Sequence, residues 1–99
     1  MIKQGLVSII TPCYNGEKLI HRLLDSVLSQ DYPSIEMIIV DDGSKDKTHD
    51  VIENYINKFK QKGYSLLYLY QDNAGQAAAI NKALPEVNGE FLVWPDADA

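Results

Sequence analysis

Positive charge is scarce in this chain. Nine lysines and arginines face fourteen aspartates and glutamates, for a formal charge of −5. No basic patch is apparent that could meet a phosphate backbone, which argues against nucleic-acid binding. Cysteine is scarcer still: Cys13 stands alone, so no internal disulfide can form and a reducing, cytoplasmic setting is expected. Its thiol reads as a small buried hydrophobe. No apolar run approaches the length of a transmembrane helix, and no signal peptide opens the chain. No Gly-x-Gly-x-x-Gly follows the first apolar run, which removes a dinucleotide-binding Rossmann domain. Repeats, low-complexity segments and linkers are also missing.

What remains is an ordinary globular composition in 99 residues, 45% hydrophobic and 23% charged. That is enough for one small domain over 1–99. Along it, short apolar runs alternate with helical patterns. Leu6 to Thr11 reads as strand one, stopped by Pro12. Asn15-Gly16 signals a turn, and Glu17 suits the positive end of a helix over 17–30, with Ile20, Leu23, Leu24, Val27 and Leu28 on one face. Ile35 to Val40 is strand two, closing in Asp41-Asp42-Gly43-Ser44. Asp46 is an N-cap for a second helix striped by Val51, Ile52, Tyr55, Ile56 and Phe59, and Gly63 fits its end. Tyr64 to Tyr70 is strand three, and 76–84 an alanine-rich third helix that Pro85 helps to end. Asn88-Gly89 turns the chain into strand four, Phe91 to Trp94. His21 and His49 fall on the first two helices as surface or helix-end residues.

A βαβαβαβ pattern predicts an α/β fold, a parallel sheet with helices on both faces in a Rossmann-like three-layer sandwich. Strands two and four read as near-continuous apolar runs, as doubly covered strands should. Right-handed crossovers, with the first two helices on one face, give the order 3-2-1-4. The topological switch then lies between strands one and four, where open sheets bind ligands at the carboxyl ends.

Aspartates gather at those carboxyl ends: Asp41 and Asp42, Asp72, then Asp96 and Asp98. Self-repulsion gives a purely structural protein no reason to concentrate them there. Asp41 or Asp72 can serve as turn formers, but such roles do not cover all five. Asp96 and Asp98, one residue apart on extended chain, can turn to one side. At 4 Å their repulsion is about 4 kcal/mol for an effective dielectric near 20. A hard divalent cation is the simplest offset, and a solvated acidic turn is the alternative. Tyr14 offers an aromatic face for a base or sugar, and Asp42 an acceptor for N–H or ribose hydroxyl groups.

The run Val7-Ser8-Ile9-Ile10-Thr11-Pro12-Cys13-Tyr14-Asn15, then Ser29-Gln30, Val40-Asp41-Asp42-Gly43-Ser44, Asn73-Ala74-Gly75 with Asn81 downstream, and finally Asp96-Ala97-Asp98, resembles family 2 glycosyltransferases of the GT-A fold. The resemblance covers nearly the whole chain, with every motif in order. It implies an inverting transfer from a nucleoside-diphosphate sugar to a glycan, lipid or protein acceptor, with this chain as the donor-binding N-terminal part. It further implies that Pro12 and Tyr14 line the base pocket beside the backbone of Val40, and that Asp42 bonds the base. Asp96 would meet ribose or the metal's water shell, and Asp98 would coordinate Mg²⁺ or Mn²⁺. Gln76 stands near where some members place a diphosphate-facing side chain.

Two departures stand out. Ala99 occupies a position where many members carry a further acid, and Gly16 separates Asn15 from Glu17. The family's general base and acceptor site are expected beyond Ala99, so this stretch is expected to be catalytically incomplete, cut after the Asp-x-Asp. The cytoplasmic location expected from the lone Cys13 leaves the inner face of a membrane open to a longer chain. Sugar-phosphate nucleotidyltransferases need a glycine-rich, basic loop after strand one, which Thr11 to Gly16 does not provide. A non-catalytic nucleotide-binding or scaffolding module is the rival reading. Finally, strand four would be left with an unpaired apolar edge, through which the chain is expected to self-associate.

Overall fold

The computed structural model describes residues 3–93. Its elements are β1 (Lys3–Cys13), α1 (Ile20–Leu28), β2 (Ile35–Asp42), α2 (Thr48–Lys62), β3 (Ser65–Gln71), α3 (Gln76–Ala83), a 3-10 turn (Leu84–Glu86) and β4 (Gly89–Val93). The strands form one sheet in the order β3-β2-β1-β4, every neighbouring pair parallel. This is the expected order.

Two apolar layers sandwich that sheet. On one side, Ile20, Leu24 and Val27 of α1 and Ile52, Tyr55 and Phe59 of α2 meet Val7, Ile9, Ile35, Met37 and Ile39. On the other, Ala79 and Ala83 of α3 meet Ile10, Ile38 and Val40. On the α3 side the helix presents alanines to the sheet, whereas Phe59 packs in the other layer. Burying a side chain of that size stabilises by about 1.5–3 kcal/mol. Strand β2 is buried along its whole length, as its sequence requires.

Several boundaries differ from expectation, each for a local reason. Helix α1 begins at Ile20 because the Gly16 carbonyl accepts from both Leu19 N and Ile20 N (3.0 and 2.8 Å), winding 16–19 into a turn first. Strand β1 continues through Pro12, which pairs with Val40; near a strand end one missing N–H is tolerated. Asp46 does satisfy the start of α2, by accepting from Thr48 N at 3.0 Å, although the helix itself opens one residue later than a cap at Asp46 would have it. Gly63 ends α2 in the left-handed region, as expected. Strand β3 runs from Ser65 to Gln71 rather than from Tyr64.

The largest difference is at β4. Its apolar residues suggested cover on both faces, yet Phe91 and Val93 are 55% and 47% exposed. It lies at the end of the sheet, and α3 packs over β2 and β1 instead. Trp94 lies outside the described residues.

Candidate functional site

Four parallel strands deliver their carboxyl ends to one edge, and β1 and β2 bring the first site residues together there. Pro12 pairs with Val40, and Cys13 with Asp41. Tyr14 and Asp42 each lie two residues beyond the Pro12–Val40 pair. Tyr14 is 53% exposed. Cys13 is buried; burial and then the nearby Asp41 charge push its thiol up to about 12, so it stays protonated and inert at neutral pH.

Asp41 and Asp42 are adjacent on an extended strand and therefore face opposite sides of the sheet. On the α2 side, Asp41 accepts from Ser44 N at 2.9 Å and from the Tyr68 hydroxyl at 2.6 Å. Burial, followed by that bond and the Asp41 charge, raises the Tyr68 phenol well above its usual range. The ring of His49 rests against Tyr68 at 4.7 Å. Asp41 is thus the turn former that its position allowed.

On the α3 side, each Asp42 oxygen accepts twice. Oδ1 takes Gln71 Nε2 and Ala74 N, both at 2.8 Å, and Oδ2 takes Asn73 Nδ2 and Gly75 N at 3.2 and 3.1 Å. The Gln71 amide, and the Ala74 and Gly75 N–H groups beside it, hold this carboxyl below the usual range despite its burial. The side chain expected to meet a ligand therefore also fastens the β3–α3 loop and the amino end of α3. Gly43 makes room for this loop: it sits at φ +81°, and a Cβ there would come within 2.8 Å of Asn73 N.

A second set of contacts, unseen in the sequence, locks the β1–α1 loop to the β2–α2 loop. Asn15 N donates to Ser44 Oγ and Lys45 N to Asn15 Oδ1, both at 2.8 Å. Gly16 N donates to Thr48 Oγ1 at 2.9 Å, Glu17 N to Asp46 Oδ2 at 3.1 Å, and Lys47 N to Glu17 Oε1 at 3.1 Å. Asn15 adopts φ +50° to do this, a conformation asparagine tolerates better than most residues. Burial raises the Asp46 carboxyl, but the Thr48 hydroxyl and N–H and the Glu17 N–H lower it by more. The clasp fixes the loop that carries Tyr14 against the loop that follows Asp42. The same loops line an open cleft at Asn15, Glu17, Lys18, Leu19, Lys45 and Asp46.

Asp72 and Gln76 are exposed at the same edge. Asp96 and Asp98 lie outside the described residues. Among the described residues no three His, Cys, Asp or Glu side chains gather as metal ligands, and no helix is long and apolar enough to cross a membrane.

The sequence profile described as glycosyl transferase family 2 matches residues 8–99. The chain belongs to glycosyl transferase family 2. Relatives of this family 2 chain include the putative teichuronic acid biosynthesis glycosyltransferase TuaG of Bacillus subtilis (strain 168), 43% identical over 93 residues, covering 94% of this chain and 36% of TuaG. The poly(ribitol-phosphate) β-N-acetylglucosaminyltransferase TarS of Staphylococcus aureus (strain Mu50 / ATCC 700699) is 39% identical over 93 residues, covering 92% of this chain and 16% of TarS.

Solved structures agree. S. aureus TarS 1-349 in complex with UDP superposes with a TM-score of 0.82 at 35% identity, over 93% of this chain and 27% of that one. A mannosyltransferase from Pyrobaculum calidifontis in complex with GDP-Man and Mn²⁺ gives 0.82 at 35%, over 94% and 27%. The four-stranded sheet and its flanking helices are those of the GT-A fold. The family 2 chain spans about a third or less of the length of these proteins.

Proposed function

We propose that this chain is the donor-binding part of an inverting glycosyltransferase, holding the nucleotide of a nucleoside-diphosphate sugar at the carboxyl edge of its sheet. The observation that carries the reading is the paired register of Pro12 with Val40, which leaves Tyr14 and Asp42 at the rim of one edge. In that reading Pro12, Tyr14 and the Val40 backbone line the base pocket, and Asp42 accepts from the base. Of the four donors now on Asp42, Gln71 supplies a side chain and Ala74 and Gly75 supply backbone. Gln71 is then the partner that yields to a base N–H without unfolding the loop.

Asp96 and Asp98 are the metal-binding pair of this reading. Two carboxylates form a hard oxygen donor set that suits Mg²⁺ or Mn²⁺, and β4 runs parallel to β1, so its chain direction at Val93 is toward the same edge. When bound, such a cation supplies charge neutralisation for the leaving nucleoside diphosphate. In this reading Asp96 meets ribose or the metal's water shell. The general base and the acceptor site, for a glycan, lipid or protein, belong to sequence beyond Ala99, so residues 1–99 alone bind donor without transferring it. The lone, buried Cys13 supports a cytoplasmic location, with a longer chain working at the inner face of a membrane.

The test is thermal shift against UDP-, GDP- and dTDP-sugars with and without Mn²⁺. A ligand at a hundred times its dissociation constant stabilises by about 2.7 kcal/mol. One nucleotide should shift the transition in a Mn²⁺-dependent way. No shift with any of the three would overturn the reading.

A further inference from the structure

Strand β2 carries a carboxylate where an aliphatic residue would pack. Glu36 is only 9% exposed, and an unheld charge there would be costly. It is held by one group of partners. The Ser8 hydroxyl donates to Glu36 Oε2 at 2.5 Å, Asn88 N donates to the same oxygen at 2.6 Å, and Asn88 Nδ2 reaches Oε1 at 3.2 Å. Ser8 Oγ in turn accepts from Gly89 N at 2.8 Å. Burial raises the Glu36 carboxyl, but the Ser8 hydroxyl and the Asn88 N–H groups more than offset it, so it is an anion at neutral pH. This network reads two consecutive backbone N–H groups, Asn88 and Gly89, at the entry to β4.

Among the described residues one other side-chain hydrogen bond joins that strand to β1, from Gly5 N to Glu90 Oε1 at 2.8 Å, at an exposed position. Packing of one buried face normally specifies register, but Phe91, Leu92 and Val93 are all exposed. The ladder itself is irregular: Lys3 pairs with Gly89 and Val7 with Phe91, so β1 advances four residues while β4 advances two. Gly89 admits the close approach, since a Cβ there would overlap Ser8 Oγ and lie 2.7 Å from the Leu6 carbonyl oxygen. A slip of one residue moves every later side chain of a strand to the other face.

We infer that Glu36, through Ser8, sets the register in which β4 joins β1 and thereby the position at which the chain leaves the sheet edge after Val93 toward the proposed metal pair. Glu36 is a positioning residue that touches neither nucleotide nor metal; this inference rests on the metal role proposed above. Glutamine at this position keeps the shape but turns an amide hydrogen toward one of the donors that now meet carboxylate oxygens. Ser8→Ala breaks the link to Gly89 from the other side.

The experiment measures UDP binding by calorimetry with and without Mn²⁺, and amide hydrogen exchange, in the parent, Glu36→Gln and Ser8→Ala. In both variants the Mn²⁺-dependent gain in UDP affinity should fall about tenfold, the scale of a lost charge-assisted hydrogen bond. Metal-free UDP affinity should stay within about twofold, and amides of 90–93 should exchange faster while those of β2 and β3 keep their protection. A full Mn²⁺ gain in both variants, or a parallel loss of metal-free and Mn²⁺-dependent binding, overturns the inference alone. A parent that binds UDP with no Mn²⁺ effect overturns the metal role, and the inference with it.

Discussion

The Tyr68 hydroxyl bonds to Asp41 Oδ2 at 2.6 Å, tying β3 to the end of β2 from beneath the sheet edge. With Ser44 N on its other oxygen at 2.9 Å, Asp41 is a brace rather than a free acceptor. Tyr68→Phe leaves a buried carboxylate oxygen without its donor and should cost about 1–3 kcal/mol of stability. Urea denaturation measures it. Nucleotide affinity should be unchanged; a loss of affinity at full stability would give Asp41 a ligand role instead.

Asp42 is both the expected contact to the base and the fastener of the β3–α3 loop. Asp42→Ala should therefore lower nucleotide affinity more than Asp41→Ala, and it should also lower the melting temperature. Isothermal titration of the two variants decides the point. If Asp41→Ala weakens binding and Asp42→Ala does not, the assignment at the end of β2 is wrong.

Asp42, Asp46 and Glu36 are all held below their usual range by hydrogen bonds. A carboxyl with a depressed folded pKa adds stability above its unfolded value, about 4, and loses it as pH falls through the folded value. Stability should be flat in this respect from neutral pH down to about 4 and then decline. Denaturation curves of the parent and of Asp42→Asn across this range should converge at the acid end. Parallel curves would mean that Asp42 contributes no such linkage.

Asp98→Asn should abolish the Mn²⁺-dependent part of nucleotide binding and leave the fold intact, because it removes one charged ligand and no packed side chain of the described core. Circular dichroism checks the fold and calorimetry the binding. Equal Mn²⁺-dependent affinity in variant and parent would rule Asp98 out as a ligand.

Among the described residues β4 has no strand on its far side. Phe91, Leu92 and Val93 are exposed there, and an unpaired apolar edge is a template for another chain. Light scattering on residues 1–99 should detect dimers or larger species. A monomer at high concentration would count against pairing through this edge.

Much of this was legible in the sequence. The alternation of β-branched runs with helical stripes gave four strands and three helices, and handedness left one sheet order. Pro12 pairs with Val40 because parallel strands place equivalent positions side by side, and Tyr14 follows two residues on. Glu36 escaped notice because an acid at the start of an apolar run looks like a solvated strand end; its partners, Ser8 and Asn88, are 28 and 52 residues away. The loop clasp was hidden for the same reason. Asn15-Gly16 and Ser44 to Thr48 each make sense as local turn formers, and nothing local reveals that each set satisfies the other. The start of α1 was misplaced because Glu17 marks an end of the helix by charge, while the Gly16 carbonyl decides where its winding begins.

Strand β1 precedes the other three described strands and lies between β2 and β4 in the sheet. During synthesis its β2 side can close early, but its β4 side must wait for Gly89, whose amide bonds to a serine 81 residues before it. At about 5–20 residues per second that wait lasts roughly 4–16 s. Throughout it the Ser8 hydroxyl and the free edge of β1 have only water, a chaperone or a neighbouring nascent chain for company. Closing so distant a pairing is the slow, entropy-limited part of folding such a sheet. Among the described residues, the β1–β4 pairing is therefore the one through which nascent chains stay exposed to one another longest.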